Sequence, residues 1–253
     1  MLFRIEFGKL FRRKFNFLFA LILILLNLGV VFKLDSLSLF YDKSLVDIIF
    51  NIVLKIDLVL ILFIMGLNYI FSYREDYVSK VNVFLEIHKK KSVRDFSSIL
   101  ANLIYFLVYY VIIVSSLLAL LFVRKNSLFS EIKSIMMNVN TAGAFVTMLI
   151  LLLLFANIIF LLSLTLFNNT NLAISVSLLY FLGGEVIAKM IKTRLNFASE
   201  RIDNSVLTIF IKSFNNLNQH ITFNLTTFLP VVLNFVGLVI VIYIVRLIKK
   251  IFG

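Results

Sequence analysis

The sequence predicts an all-α, polytopic membrane protein, on three observations. Hydrophobic residues fill 61% of the 253 positions, where a soluble domain holds about 45–50%. Six windows, 15–32, 50–72, 97–123, 141–167, 172–188 and 229–246, have the apolar run of about 20 residues that a bilayer-crossing helix needs. Between the second and third lies a charged, amphipathic island, residues 73–96, too short for a domain and too polar for lipid. The windows take up more than half the chain. The expected organisation is therefore a single transmembrane domain over 1–253, with no space for a separate catalytic domain.

Residues 1–14 precede the first window and read as an interfacial helix. Phe3, Phe7, Leu10, Phe11 and Phe15 form one stripe at helical spacing, and Arg4, Lys9, Arg12 and Arg13 fall away from it. That pattern fits a basic amphipathic helix lying on a membrane surface. Span one follows, and no small-residue cleavage site succeeds it, so it reads as a retained anchor. A short outer connection, Lys33–Asp47, leads into span two. Its outer end carries Lys55 and Asp57, without which the remaining run is too short to cross. Two residues apart, they do not share a helix face. Asp57 is expected in the outer third of the membrane, with Lys55 snorkelling toward the headgroups.

In the island, Tyr77, Val81, Phe84, Leu85 and His88 share one helical face, opposite Glu75, Ser79, Asn82, Glu86 and Lys90. Lys89-Lys90-Lys91 then leads through Ser92 into span three, with Ser92 or Asp95 as its expected N-cap. Spans four and five are joined by Asn168-Asn169-Thr170-Asn171, a run suited to a sharp turn. Glu185, near the outer end of span five, reads either as an i,i+4 partner of Lys189 or as a residue facing a lumen. The longest connection, 189–228, is expected outside, with its apolar stretches dipping back into the outer leaflet. Pro230, the only proline, opens span six where proline is tolerated.

Charge fixes the expected orientation. With both termini cytoplasmic, the inner side carries fourteen Lys and Arg and the outer side ten, and the inner flank of span one carries five. The net charge of +12 is then accounted for by positive-inside topology and contact with anionic lipid, and nucleic acid is not expected as a partner. The chain has no cysteine, which excludes disulfides and thiolate metal sites. It has no phosphate-cradling glycine loop and no H-E-x-x-H run. His88 and His220 are predicted on opposite sides of the membrane. No enzymatic activity, metal or cofactor is expected in this chain.

An interfacial N-terminal helix, six spans, a charged helix between spans two and three, a tight inner turn between four and five and a long outer re-entrant segment before six together resemble an ABC-2 type transporter permease. The resemblance covers essentially the whole chain. Glu75, the Tyr77–Ile87 helix and the Lys89–Arg94 run take the places of that family's acidic residue, coupling helix and basic cluster. Ser79-Lys80 stands where the family often has Gly-Thr. The resemblance implies a second permease, identical or not, and separately encoded cytoplasmic ATPase subunits that bind ATP and Mg2+. It also implies coupling through Glu75, Tyr77, Val81, Phe84 and Leu85 and through the Asn168, Asn169 and Asn171 turn. Lys55, Asp57 and Glu185 are the residues that would face a lumen. Residue usage points to an AT-rich, Gram-positive bacterial source. The chain is similar in kind to the permeases of the staphylococcal phenol-soluble modulin exporter, which implies amphipathic peptides as cargo. A stand-alone peptide-immunity or accessory membrane protein and a secondary transporter are the alternative readings.

Overall fold

The computed structural model describes residues 2–78, 91–167, 169–177, 179–181, 190 and 225–252, and every regular element among them is helical. In chain order α1 is Leu2–Arg12, α2 Lys14–Phe32, α3 Leu34–Tyr41, α4 Leu45–Ile48, α5 Leu54–Val78, α6 Lys91–Arg124, α7 Asn126–Met137, α8 Val139–Leu166 and α9 Leu225–Phe252. Among the described residues five stretches are helical, long and apolar enough to cross a membrane: Lys14–Phe32, Leu45–Asp76, Lys91–Arg124, Val139–Leu166 and Val231–Ile251. They overlay the first four windows and the sixth. The described part of the fifth window belongs to a shorter apolar helix at Thr170–Phe181. The rest of that window, residues 79–90 and nearly all of 189–228 lie outside the described residues.

α1 and α2 are separated by one extended residue, Arg13 (φ −81°, ψ 99°). Asn16, on the first turn of α2, donates from Nδ2 to the Leu10 carbonyl at 2.9 Å, satisfying an acceptor that the end of α1 leaves open. The connection between α2 and the second apolar stretch is itself largely helical. α3 ends at Asp42 in the left-handed region (φ 50°), a conformation Asp adopts more readily than most residues. Ser44 then caps α4, accepting from the Asp47 amide at 3.1 Å and donating to the Asp47 carboxylate at 2.6 Å. A π turn over Ile49–Val53 joins α4 to α5, so 45–78 runs as one rod. At the far end of α2, Lys125 pairs with Asp35 and Arg124 lies 4.0 Å from the Phe32 ring centre.

α6 is the central post, with α1, α2, α5, α7 and α8 all packed on it and α9 packed on α8. Its 34 residues span about 51 Å at 1.5 Å per residue, well beyond the ~30 Å hydrocarbon layer. Expectation and structure part here. Helix α6 already begins at Lys91, so neither Ser92 nor Asp95 caps it; Asp95 lies a full turn inside and is buried. The core runs along α5, α6 and α8 through Ile61, Ile64, Met65, Phe106, Ile113, Leu153 and Phe160.

α5 and α8 meet closely at Gly66, where an added Cβ would lie 2.6 Å from Cε1 and Cζ of Phe160. That ring is buried and held near Tyr69, with ring centres 6.4 Å apart. Gly66→Val should therefore destabilise by about 1–3 kcal/mol, the usual cost of overpacking a filled core. Thermal unfolding in detergent would read this directly, and an unchanged midpoint would show that the α5–α8 contact is loose.

Candidate functional site

The main polar feature of the fold is a buried charge cluster where α1, α5, α6 and α9 converge. Arg94, on the first turn of α6, is 1% exposed. It donates to Asp76 Oδ2 from Nε at 2.9 Å and from Nη2 at 2.6 Å. Its Nη1 donates to Asp95 Oδ1 at 3.3 Å, and its guanidinium lies 4.8 Å from the Tyr73 ring centre. Lys9 of α1 donates to Asp76 Oδ1 at 2.6 Å and to Glu6 Oε1 at 2.8 Å. Ser72 donates to the other Glu6 oxygen at 2.9 Å. From α9, Arg246 Nη2 donates to Asp95 Oδ2 at 2.6 Å. Glu6, Asp76 and Asp95 face Lys9, Arg94 and Arg246, so the formal charges cancel.

Cancellation is what allows burial. An isolated ion taken out of water costs several kcal/mol, and the penalty is offset only where geometry is good and each lone pair or proton finds a partner. Here both oxygens of all three carboxylates are engaged. The location matters as much as the balance. Asp76 is in the last turn of α5 and Arg94 in the first turn of α6, the two helices on either side of 79–90. Their contact closes the base of that segment, and Lys9 and Arg246 bind both chain ends to the same base.

A row of asparagines continues inward. Asn16 and Asn68 exchange hydrogen bonds, Asn68 Nδ2 to Asn16 Oδ1 at 2.6 Å and Asn16 Nδ2 to Asn68 Oδ1 at 3.2 Å. Arg13 Nη1 donates to the Asn68 carbonyl at 2.6 Å. Tyr109 Oη donates to the Asn16 carbonyl at 2.8 Å. Further along, Asn102 donates to Asn157 Oδ1 at 2.8 Å, tying α6 to α8. Such bonds let apolar helices find one register in lipid, at about 0.6–2 kcal/mol each. A cavity of about 10 Å³ lined by Glu6, Asn68, Tyr69, Ser72 and Asn102 lies between the cluster and this row.

The residues singled out from sequence fall in several places. Glu75 is exposed on the rim of the cluster, its Oε1 3.0 Å from Arg13 Nη2. Tyr77 belongs to the end of α5 by backbone, and its side chain, with Val81, Phe84, Leu85 and His88, lies outside the described residues, as do Asn168 and Glu185. Asn169 accepts the Asn171 amide on its side chain at 2.9 Å and the Ala173 amide on its carbonyl at 3.0 Å, so the turn starts a helix. Asp57 is buried and accepts from Asn27 of α2 at 2.9 Å, while Lys55 is half-buried.

On α1, Phe3 stacks on Phe7, Phe7 meets Phe11 edge to face, and both Phe7 and Phe11 meet Tyr105 of α6 edge to face. The basic residues do not all turn from the protein. Arg4 and Arg12 are exposed, but Lys9 and Arg13 point inward to acids and to Asn68. The cause is plain: Glu6 and Lys9, at i and i+3, give α1 a second, polar edge that meets Ser72 and Asp76 of α5, and Arg13, at the extended break after α1, turns to Asn68 and Glu75.

Sequence reasoning passed over Glu6, Asp76, Arg94, Asp95 and Arg246 as sites. The legible signal was the Arg94-Asp95 dipeptide at a span boundary, together with Asn16, Asn68, Asn102 and Asn157 in or beside apolar runs. Among the described residues no group of three or more His, Cys, Asp or Glu is placed to hold a metal. The chain matches no protein-family model, no curated protein and no solved structure.

Proposed function

We propose that the chain is the transmembrane permease subunit of an ATP-driven exporter of amphipathic peptides, working with a second permease and cytoplasmic ATPase subunits. In this reading it sits in the cell membrane of a Gram-positive bacterium with six spans and cytoplasmic termini. The segment 189–228 is outside, and 73–96 is the element that the ATPase grips. The observation that carries the reading is the Asp76–Arg94 contact of 2.6 Å at the base of 79–90. A push on that segment is delivered to α5 and α6 together, because its two roots are locked to each other. The second permease has exposed apolar helices to pack on: only 22% of the α2 window and 11% of the α9 window are buried within the chain.

The test is a pair of truncations on the apolar face of the island. Phe84→Ala with Leu85→Ala should leave insertion intact and abolish ATPase association and transport. Each truncated side chain accounts for about 2–5 kcal/mol where it is fully buried in a partner. A double variant that binds the ATPase and transports like the parent would overturn the reading.

Topology has its own check in this cysteine-free chain. A cysteine at Ser199 should react with an impermeant reagent on intact cells, and one at Ser92, which is exposed, only after permeabilisation. Labelling of Ser92 from outside would reverse the orientation.

The buried Asp57–Asn27 pair favours a second reading, a gradient-driven carrier, because an acid held inside a membrane helix is costly unless it has work to do. Flux driven by a proton gradient through the purified chain alone, lost in Asp57→Asn, would select that reading over the exporter.

A further inference from the structure

We propose that the groove between α2 and α6 is a specific site for one anionic phospholipid, drawn from the leaflet level with the charge cluster. The groove encloses about 710 Å³ and is walled by Phe17, Leu21 and Ile24 of α2 and by Val108, Tyr109 and Ile112 of α6. That volume lies within the ~300–1,000 Å³ of ordinary ligand pockets. The wall residues remain open to the outside: Phe17 is 79% exposed, Val108 52% and Ile112 55%.

Only one end of the groove is charged. Lys14 lines it there beside Arg13, and Arg12 is exposed next to them. Arg13 is held by Asn68 and Glu75. Lys14 and Arg12 have no hydrogen-bond or ion-pair partner among the described residues, which leaves two cations for a phosphate. This is the end of the bundle that carries the charge cluster, because α1 and the start of α2 are shared by both.

Depth then selects the occupant. From Lys14 to Ile24 is ten residues, or about 15 Å at 1.5 Å per residue, half of a ~30 Å hydrocarbon layer. A phospholipid has that form: a charged head at the surface and acyl chains reaching to the midplane. A spanning helix from a second copy would need a groove running the full thickness, and it would bring no anion to Lys14. Charge complementarity makes the lipid anionic, since a basic group near the membrane surface gains about 1 kcal/mol from anionic headgroups. The bound lipid would fill the space beside the α1–α2 break and hold α1 against α6. This inference does not rest on transport, and its test requires none.

The chain has no tryptophan, so one introduced tryptophan is a clean reporter. Val108→Trp places it in the groove. Val239→Trp places it on α9, at a position 54% exposed and away from the groove. Each variant is reconstituted in phosphatidylcholine vesicles carrying a few per cent of either brominated phosphatidylglycerol or brominated phosphatidylcholine. The expected result is several-fold stronger quenching of the Val108→Trp chain by the brominated phosphatidylglycerol, with no preference for Val239→Trp. Adding Lys14→Gln to Val108→Trp should remove the preference, and adding Lys14→Arg should keep it.

Equal quenching of Val108→Trp by the two lipids would leave only annular lipid and overturn the site. A preference untouched by Lys14→Gln would overturn the headgroup assignment. Protection of Val108→Trp from both lipids by an added amphipathic peptide would make the groove a peptide site instead. The comparison of the two lipids on Val108→Trp alone is decisive should Lys14→Gln fail to insert.

Discussion

Arg94→Met is expected to lower unfolding stability by about 3–5 kcal/mol, the cost of removing one partner from a buried ion pair. Arg94 is the hinge of the charge cluster: among the described residues it alone bonds to both Asp76 and Asp95. Methionine fills much of the same volume but leaves two buried carboxylates with fewer donors. Asp76 would keep Lys9 and Asp95 would keep Arg246, so the cluster would divide into two pairs, one on each chain end. Asp76→Asn should cost less, because Arg94 keeps Asp95 and the amide still accepts a hydrogen bond. Thermal or denaturant unfolding in detergent would measure both. Equal losses for the two variants would mean that Arg94 has no bridging role. High salt should change little in either case, since buried pairs are poorly screened.

Asn68→Leu is the next largest expected effect. Asn68 is fully buried and serves three groups: it exchanges bonds with Asn16, accepts from Arg13 and donates to the Ile64 carbonyl. Leucine restores the volume and none of the bonds. The loss falls chiefly on Asn16, whose Oδ1 would lose its donor, and buried polar groups without partners cost about 1–3 kcal/mol each. A total of about 2–4 kcal/mol is expected, with α1 loosened from α5. Protease sensitivity near Arg12–Lys14 should rise together with the fall in melting temperature. A melting loss without new cleavage would place the damage in the α5 core rather than at the α1 attachment.

The helices were legible from hydropathy because lipid imposes a single rule: a spanning segment must satisfy its own backbone and be apolar for about 20 residues. That rule placed α2, α5, α6, α8 and α9. It said nothing of the connections, so α3 and α7 were not foreseen, nor that the second stretch starts as early as Leu45 through α4. The entry to α6 was misjudged for the same reason: Lys89-Lys90-Lys91 read as a basic turn with Ser92 or Asp95 as cap, whereas the chain is already helical at Lys91.

The site was less legible. Glu75 was singled out because it takes the place of the acidic residue that follows span two in the resembled family, and Asp76 beside it was not considered. Only the tertiary position of Arg94, eighteen residues on, separates the exposed carboxylate from the buried one. In α1 the aromatic stripe hid the polar one: Phe3, Phe7 and Phe11 fix attention on a membrane surface, whereas Glu6, Lys9 and Arg13 carry the bonds that anchor the helix. Asp57 shows the opposite case. Its isolation within an apolar run marked it from sequence, and burial against Asn27 is where it is found.

The most direct test of the account is whether the charge cluster acts as one unit across both chain ends. Among the described residues Lys9 on α1 and Arg246 on α9 share no direct bond, and they are joined through Asp76, Arg94 and Asp95. A double-mutant cycle on Lys9→Met and Arg246→Met measures that link by unfolding in detergent. Coupling of about 0.5–3 kcal/mol is expected if the chain of pairs is continuous. Additivity of the two losses within about 0.3–0.5 kcal/mol would contradict it, leaving two separate pairs and no mechanical link between the termini and the base of 79–90.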